Sequence, residues 1–255
     1  MDNAWCEGDM MKTKVFFNSC GQKVCGFLFK PEIESKYSNY TVIIIPGFRS
    51  TKEVWEDRGE YLCKEGFECL VIELRGRGES EGIFEEMTLT DGIRDVKSAI
   101  DFVQKPVILF GSSYGGMVAI HSAKKDERVK GLILRKPVVD AKLLFNGKLI
   151  KEIREKGFFG YETPDGVYDL WTKKLVDDML NYNSYEAIKE VKCPLIIFHG
   201  DKDEITPIDG SRLVFKNANE PKKFIELKDE GHETPIESDE MINKEIVKWL
   251  RMWFK

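Results

Sequence analysis

The residue best placed for chemistry is a serine set between glycines at the end of an apolar run. Residues 106–116 read PVILFGSSYGG, and the helix-like stretch MVAIHSAKK follows. Ser113 has Gly111 and Gly115 two residues to either side, whereas Ser112 has Phe110 and Tyr114 in those places. The G-x-S-x-G spacing marks a tight turn from strand to helix, in which the central residue is strained and bulky side chains two places away collide. Such a turn lifts a hydroxyl above the sheet edge and sets it at a helix N-terminus, where developing negative charge is favoured. Ser113 is therefore the candidate nucleophile, and Ser112 is expected to pack or hydrogen-bond locally. The competing reading is a purely structural Gly-Ser turn.

A serine nucleophile needs a base, and the chain has three histidines. His121 follows Ser113 on the same expected helix, about 12 Å along its axis, too far to reach it. It is read as a surface or packing residue. His199 ends the run LIIFH, and His232 lies in KDEGHETP, a loop after the final expected strand. Loops beyond the carboxyl ends of strands are where an α/β sheet places its working groups. A histidine base in turn needs an orienting carboxylate, and HGDKDEITP (199–207) offers Asp201 and Asp203. The order Ser, Asp, His is the one expected for a nucleophile turn of this kind. It makes His232 the base, since that residue alone follows the acidic candidates, and leaves His199 a structural part within its own loop.

These groups need a frame. Residues 13–18 and 23–29 read as a hairpin turning at Gly21-Gln22. Short runs rich in Val, Ile and Leu follow at 41–45, 68–72, 107–110, 131–134, 195–198 and 223–227, and suit strands buried on both faces of a parallel sheet. Helical stretches lie between them, at roughly 53–65, 89–103, 115–125, 207–217 and 239–252. The last puts Met241, Ile242, Ile246, Trp249 and Leu250 near one stripe. The rhythm breaks once, at 138–187, where the pattern offers helix-like pieces and no clear strand. That stretch reads as a cap inserted over the sheet end, within a single domain spanning 1–255.

The bulk composition limits the function classes. A length of 255 residues and 42% hydrophobic content fit one sizeable soluble domain. A net charge of -5 argues against nucleic acid as the main partner. No run approaches the length of a membrane span, and MDNAWCEGDMMKTK is not of signal-peptide type, so a cytoplasmic location is expected. The six cysteines (Cys6, Cys20, Cys25, Cys63, Cys69 and Cys193) show no CxxC or metal-ligand spacing. They read as buried small hydrophobes, with a Cys20–Cys25 disulfide across the hairpin turn possible but not needed.

Four segments fall in a familiar order: PGF (46–48), RGRGES (75–80), GSSYG (111–115), and HGDKDEITP with GH (199–207 and 231–232). Through them the chain resembles the α/β-hydrolase serine hydrolases over nearly its full length, from TVIIIPGFRS to GHETP. Within that superfamily it is most similar to small-cap esterases of the cinnamoyl and feruloyl esterase type, through PGF, RGRGES-EGIFEEMTL and the short insertion. The resemblance implies an α/β fold with a mostly parallel sheet of about eight strands, helices on both faces and a small helical cap. In the family motif HGxxDxxxP the acid stands four residues after the histidine, which selects Asp203 over Asp201.

The implied activity is cleavage of a small-molecule carboxylic ester. Ser113 forms an acyl-enzyme, His232 takes its proton and Asp203 orients His232. The oxyanion hole is formed by the backbone N–H of Tyr114 and, by resemblance, that of Phe48; Pro46 has no N–H. No metal or organic cofactor is implied, and the protein is expected to be a monomer or a homodimer. The chain departs from the family pattern in having Pro46-Gly47 where His-Gly is common, and Glu73 where Asp often precedes RGxGxS. Thioester cleavage, amide cleavage or acyl transfer by the same triad is the alternative. A non-catalytic binding protein of this fold is a weaker reading, since all three triad residues are present; a dienelactone-type hydrolase is disfavoured by serine rather than cysteine at the nucleophile position. In the insertion, Phe145, Phe158, Phe159, Tyr161, Tyr168 and Trp171 either form its own small core or line an acyl pocket. The basic stretch of Lys148, Lys151, Arg154 and Lys156 reads as a solvated helix face, with an anionic docking site as the lesser option.

Overall fold

The computed structural model describes residues 10–33, 35–162 and 168–254. Each expected apolar run forms a strand: β1 (Met10–Ser19), β2 (Gln22–Pro31), β3 (Thr41–Ile45), β4 (Glu68–Ile72), β5 (Val107–Ser112) and β6 (Val129–Arg135). After a separate hairpin of β7 (Phe158–Glu162) and β8 (Tyr168–Thr172) come β9 (Leu195–Gly200) and β10 (Lys222–Leu227). Eight strands make one sheet in the order β1-β2-β4-β3-β5-β6-β9-β10. The pairs β1–β2 and β2–β4 are antiparallel, and every pair from β4 to β10 is parallel.

The continuous apolar runs are explained by two cores, one on each face. Because strand side chains alternate sides, Ile43, Leu70, Leu109 and Leu134 enter one core while Val42, Val71, Ile108 and Phe110 enter the other. Helices α1 (Glu56–Lys64) and α9 (Ile236–Trp253) cover the second core with Leu62, Ile242, Ile246 and Leu250. Helices α2 (Leu89–Val103) and α3 (Tyr114–Ala123) cover the first. In α2 the buried residues Leu89, Ile93, Val96 and Ile100 recur at helical spacing, and Thr88 with Asp91 forms a capping box at its start. Helix α3 is buried from Tyr114 to Ser122, in keeping with its composition.

The segment between β6 and β9 holds α4 (Ala141–Leu144), α5 (Gly147–Lys156), the β7–β8 hairpin, α6 (Lys173–Met179) and α7 (Ser184–Glu190). Helix α8 (Ile208–Asn217) follows β9. The hairpin corrects the expectation of a segment without strands. Phe159 pairs with Trp171 and Phe158 with Thr172, and aromatic and β-branched residues of this kind favour strands. Two five-residue strands are too short for alternation to stand out from the flanking helical pattern. Two smaller expectations also change. The β1–β2 turn is Cys20-Gly21, both with positive φ (52° and 87°), rather than Gly21-Gln22. Met241 stays exposed beside the buried stripe of α9.

Of the cysteines, Cys25, Cys63 and Cys69 are buried, Cys193 is half-buried and Cys20 is exposed, all as free thiols; Cys6 lies outside the described residues. No helix among the described residues is long and apolar enough to cross a membrane.

Candidate active site

The chain runs from β3 to β4 on one side and later returns to β5 on the other, so the carboxyl end of β3 is a point where strand order reverses. Crevices at such points are the usual ligand sites of open α/β sheets. Ser113 sits there, between β5 and α3, with φ 51° and ψ −121°. This positive-φ conformation is costly for a residue with a side chain, and its neighbours hold it. The Ser113 N–H donates to the Arg135 carbonyl (3.0 Å), and its own carbonyl accepts from Gly116 N (2.9 Å) and Val138 N (2.8 Å). The flanking glycines are required by space. A Cβ on Gly111 would meet Gly115 O at 2.4 Å, and one on Gly115 would meet Ile45 O at 2.3 Å and Pro46 O at 2.5 Å. Ser112, buried, accepts a hydrogen bond from Arg135 Nη1 at 3.3 Å, the local role expected of it.

His232, in the loop after β10, brings Nε2 to 3.1 Å from Ser113 Oγ and Nδ1 to 2.8 Å from Asp203 Oδ2. A carboxylate only accepts, so Nδ1 carries the proton and Nε2 presents its lone pair to the serine hydroxyl. Asp203, in the loop after β9, is held on both oxygens. Its Oδ1 accepts from Ile205 N (3.0 Å) and Thr206 N (2.8 Å), and its Oδ2 also accepts from Thr206 Oγ1 (2.8 Å). Burial alone would raise its pKa, but the hydrogen bonds from His199 and His232 and from the Thr206 N–H prevail, and the carboxyl lies well below the usual carboxylate range.

The other two histidines have structural partners. His199 is fully buried, its Nε2–H donating to Thr206 O (2.6 Å) and its Nδ1 meeting Ser211 Oγ (2.8 Å). It also lies 3.4 Å from Asp203 Oδ2, so it braces the acid's loop. His121 is buried against Ser184 Oγ (3.2 Å) and the Tyr182 ring.

The two expected oxyanion donors stand on the segment after Ser113 and on the loop after β3. Tyr114 is the first residue of α3, where backbone N–H groups have no partner within the helix. Gly47 packs against Ser113, its Cβ position 3.5 Å from Ser113 Cβ, which brings the Pro46–Phe48 loop alongside. Arg77 of RGRGES donates through Nη2 to the Phe48 carbonyl and stacks over Phe84. Arg75 of the same motif is tied to Asp95, Asp91 and Ser19. The departure at Glu73 also has a physical reading. Its carboxylate fills the space above Gly78 and accepts from Lys52 Nζ (3.0 Å) and Glu79 N (2.9 Å).

Several residues that shape the site were not singled out from sequence. Arg58 and Arg135 line a cavity of about 640 Å³ that reaches Ser113 and His232. Lys136, fully buried with φ 44°, donates through Nζ to Glu233 O (3.2 Å) and Thr234 Oγ1 (2.7 Å), on either side of one peptide next to His232. The Lys136 carbonyl lies 3.3 Å from Thr206 Oγ1, in the loop of Asp203. The signal for Arg135 and Lys136 was present, since both stand at the carboxyl end of a buried strand in GLILRKP. For Arg58, on α1, there was none.

The aromatics of the insertion divide. Phe145 is buried with its ring edge against Trp171 (4.9 Å), Phe159 is half-buried and Phe158 is exposed. Trp171 stacks on Phe48 with ring centroids 3.7 Å apart and lines the same cavity, so it serves both the insertion's core and the pocket wall. The side chains of Tyr161 and Tyr168 lie outside the described residues. Lys148, Lys151, Arg154 and Lys156 are exposed, the last three paired with Glu155, Asp177 and Glu152, as a solvated helix face. Among the described residues no cluster of His, Cys, Asp and Glu is arranged to hold a metal ion.

Comparison with known proteins agrees with this architecture. A family model described as serine aminopeptidase, S33 matches residues 37–159. The chain is 31% identical over 214 residues to palmitoyl-protein thioesterase ABHD10, mitochondrial, of Homo sapiens, covering 77% of this chain and 70% of that protein. Among solved structures, the alpha/beta hydrolase GrgF of Penicillium sp. sh18 superposes with a TM-score of 0.83 at 19% identity, covering 96% of this chain and 99% of that one. Est1E of Butyrivibrio proteoclasticus, with ferulic acid bound, superposes with a TM-score of 0.77 at 20% identity, covering 94% and 98%. From strand order, the serine turn and these likenesses together, the chain belongs to the α/β-hydrolase superfamily.

Proposed function

We propose that the protein is a serine hydrolase that cleaves carboxylic esters of small molecules through an acyl-enzyme on Ser113. The observation that carries this reading is the continuous hydrogen-bonded path from Asp203 Oδ2 through His232 to Ser113 Oγ, at 2.8 and 3.1 Å. His232 Nε2 takes the hydroxyl proton as Ser113 Oγ attacks the acyl carbonyl. Asp203 keeps the imidazole in the accepting tautomer and stabilises the imidazolium that forms. The oxyanion is met by the backbone N–H groups of Tyr114 and Phe48, and the loss of one such donor costs about 3 kcal/mol. His232 then returns its proton to the leaving alcohol, and water activated by the same residue resolves the acyl-enzyme. Residues 138–187 act as a cap within a single domain, and Trp171 gives the acyl pocket an aromatic wall.

Thioester cleavage is the second reading, favoured by the likeness to a palmitoyl-protein thioesterase. The triad serves either leaving group, so the pocket decides. The test is labelling with a fluorophosphonate, mapped by mass spectrometry, with turnover of oxygen esters and thioesters of the same acyl group run alongside. Labelling at Ser113, with turnover lost in Ser113→Ala, supports the mechanism, and the ratio of the two turnovers assigns the leaving group. A folded protein that neither labels nor turns over either series refutes it.

A further inference from the structure

Beside the candidate triad, the floor of the cavity is cationic. Arg135 leaves the end of β6 and is aimed by two neutral hydroxyls, Ser112 Oγ (3.3 Å from Nη1) and Thr234 Oγ1 (2.5 Å from Nη2). Hydroxyls fix the direction of a guanidinium without cancelling its charge. Arg58, almost wholly buried, lies nearby, donating to Asp239 Oδ1 (2.7 Å) and Asn243 Oδ1 (2.8 Å). Asp239 is also the carboxylate nearest Arg135 Nη2, at 3.6 Å. Two guanidiniums therefore share one half-buried carboxylate. The remaining acids of the lining, Asp57 and Glu233, are exposed at its rim, where solvent screens them.

The donors of the pair outnumber the acceptors. Arg58 Nη1 and Arg135 Nε are both buried without a hydrogen-bond partner, and buried donors are rarely left so. Burial lowers the pKa of both guanidiniums despite the pull of Asp239, which marks the cationic form as undercompensated. Arg135 keeps 15% of its side-chain surface open in the cavity, and its Nη1 bonds the residue next to Ser113.

We propose that this cavity is an anion subsite, and that the preferred substrate is an ester or thioester carrying a negatively charged group, a carboxylate or a phosphate, that pairs with Arg135 over Arg58. A planar guanidinium held in place suits bidentate pairing with such groups. The proposal rests on the serine-hydrolase reading, and the test separates the two.

Kinetics are measured on two matched pairs, each corrected for its spontaneous rate. In one the charge is on the acyl side: mono-p-nitrophenyl adipate against p-nitrophenyl hexanoate. In the other it is on the leaving group: para-acetoxybenzoate against its methyl ester. In at least one pair the anion is favoured in kcat/KM by about tenfold or more, as expected of one hydrogen-bonded charge. That ratio collapses in Arg135→Gln and is largely kept in Arg135→Lys. The pair that responds identifies the side of the scissile bond. Because Arg135 also contacts Thr234, the ratio within each protein is the readout. Asp239→Asn supplies an independent variant: freeing the shared charge raises the preference for the anion. Inorganic phosphate and adipate compete with neutral ester in the wild type and less in Arg135→Gln. Turnover of neutral esters with no preference for the anion in either pair overturns the subsite while leaving the serine mechanism standing. Failure of every ester together with failure to label Ser113 removes the mechanism itself.

Discussion

Replacing Asp203 by Asn tests the geometry of the triad at its most specific point. The substitution keeps size and shape and removes one acceptor. Oδ1 of Asp203 faces two backbone donors, Ile205 N at 3.0 Å and Thr206 N at 2.8 Å. Turning an amide NH2 toward them would strand two buried N–H groups, at about 1–3 kcal/mol each. The Asn oxygen must therefore take the Oδ1 place, which puts the NH2 where Oδ2 meets His232 Nδ1 at 2.8 Å. Facing a donor, His232 must accept at Nδ1 and carry its proton on Nε2, aimed at Ser113 Oγ. The base is then occupied by the proton it should lack. A tautomer locked in this way costs about 10⁴-fold in kcat, or about 5 kcal/mol of barrier. The assay is kcat for p-nitrophenyl acetate with the rate of fluorophosphonate labelling, after thermal unfolding has shown the variant folded. Asp201→Asn is the control and should remain close to the wild type. A folded Asp203→Asn with less than about a tenfold loss, or a large loss in Asp201→Asn instead, would refute the assignment.

Trp171→Ala removes the ring stacked on Phe48 and edged by Phe145; stability should fall by about 3–5 kcal/mol in urea unfolding, and KM should rise most for long and aryl acyl groups. An unchanged chain-length profile would take Trp171 out of the pocket. Gly115→Ala forces a methyl against two backbone carbonyls, Ile45 O and Pro46 O; it should cost about 1–3 kcal/mol and slow labelling of Ser113, and a variant as stable and reactive as the parent contradicts the packing. His121 is pushed by burial from 6.5 down to about 4. Between these values the unfolded chain binds a proton that the folded chain refuses, so the stability is whole above pH 6.5 and is lost as pH falls toward 4. From pH 6.5 to about 5 the wild type should lose about 2 kcal/mol through this group, and urea melts of His121→Gln should show a shallower decline.

What could be read in the sequence follows what is local in it. The central strands were legible because a strand buried on both faces must be apolar at every position, as in TVIII and LIIF, and β1 and β2 because two strand-like runs flank a glycine turn. Ser113 was legible because its turn imposes glycines at fixed offsets. Asp203 and His232 stand in loops whose order along the chain is informative, and the structure brings both to Ser113. The β7–β8 hairpin was missed because two short strands interrupted by helices leave too few residues to establish a period. Arg135 stands at the carboxyl end of a strand, where it could have been singled out, but its pairing with Arg58 was hidden for a different reason. They stand 77 positions apart and on different elements, and nothing along the chain announces that α1 and the end of β6 meet beside the serine. The burial of Lys136 was equally hidden, because a lysine after a strand is read as a solvated residue until its partners in the 230–234 loop are known.

The dipeptide Arg135-Lys136 bears on how the site tolerates change. Its first carbonyl receives the Ser113 N–H, its second lies against the Thr206 hydroxyl beside Asp203, and its ammonium grips the peptide beside His232. The candidate nucleophile, acid and base are thus all gauged from one fixed mark, not from one another across long stretches of chain. Errors in loop length therefore do not accumulate along the path between them. The proposed cap leaves from this mark after Val138, whose own N–H holds the Ser113 carbonyl, so a change in the length of the cap should leave the mark in place. Exchanging the cap should change which acyl groups are accepted while the spacing from Ser113 to His232 stays the same.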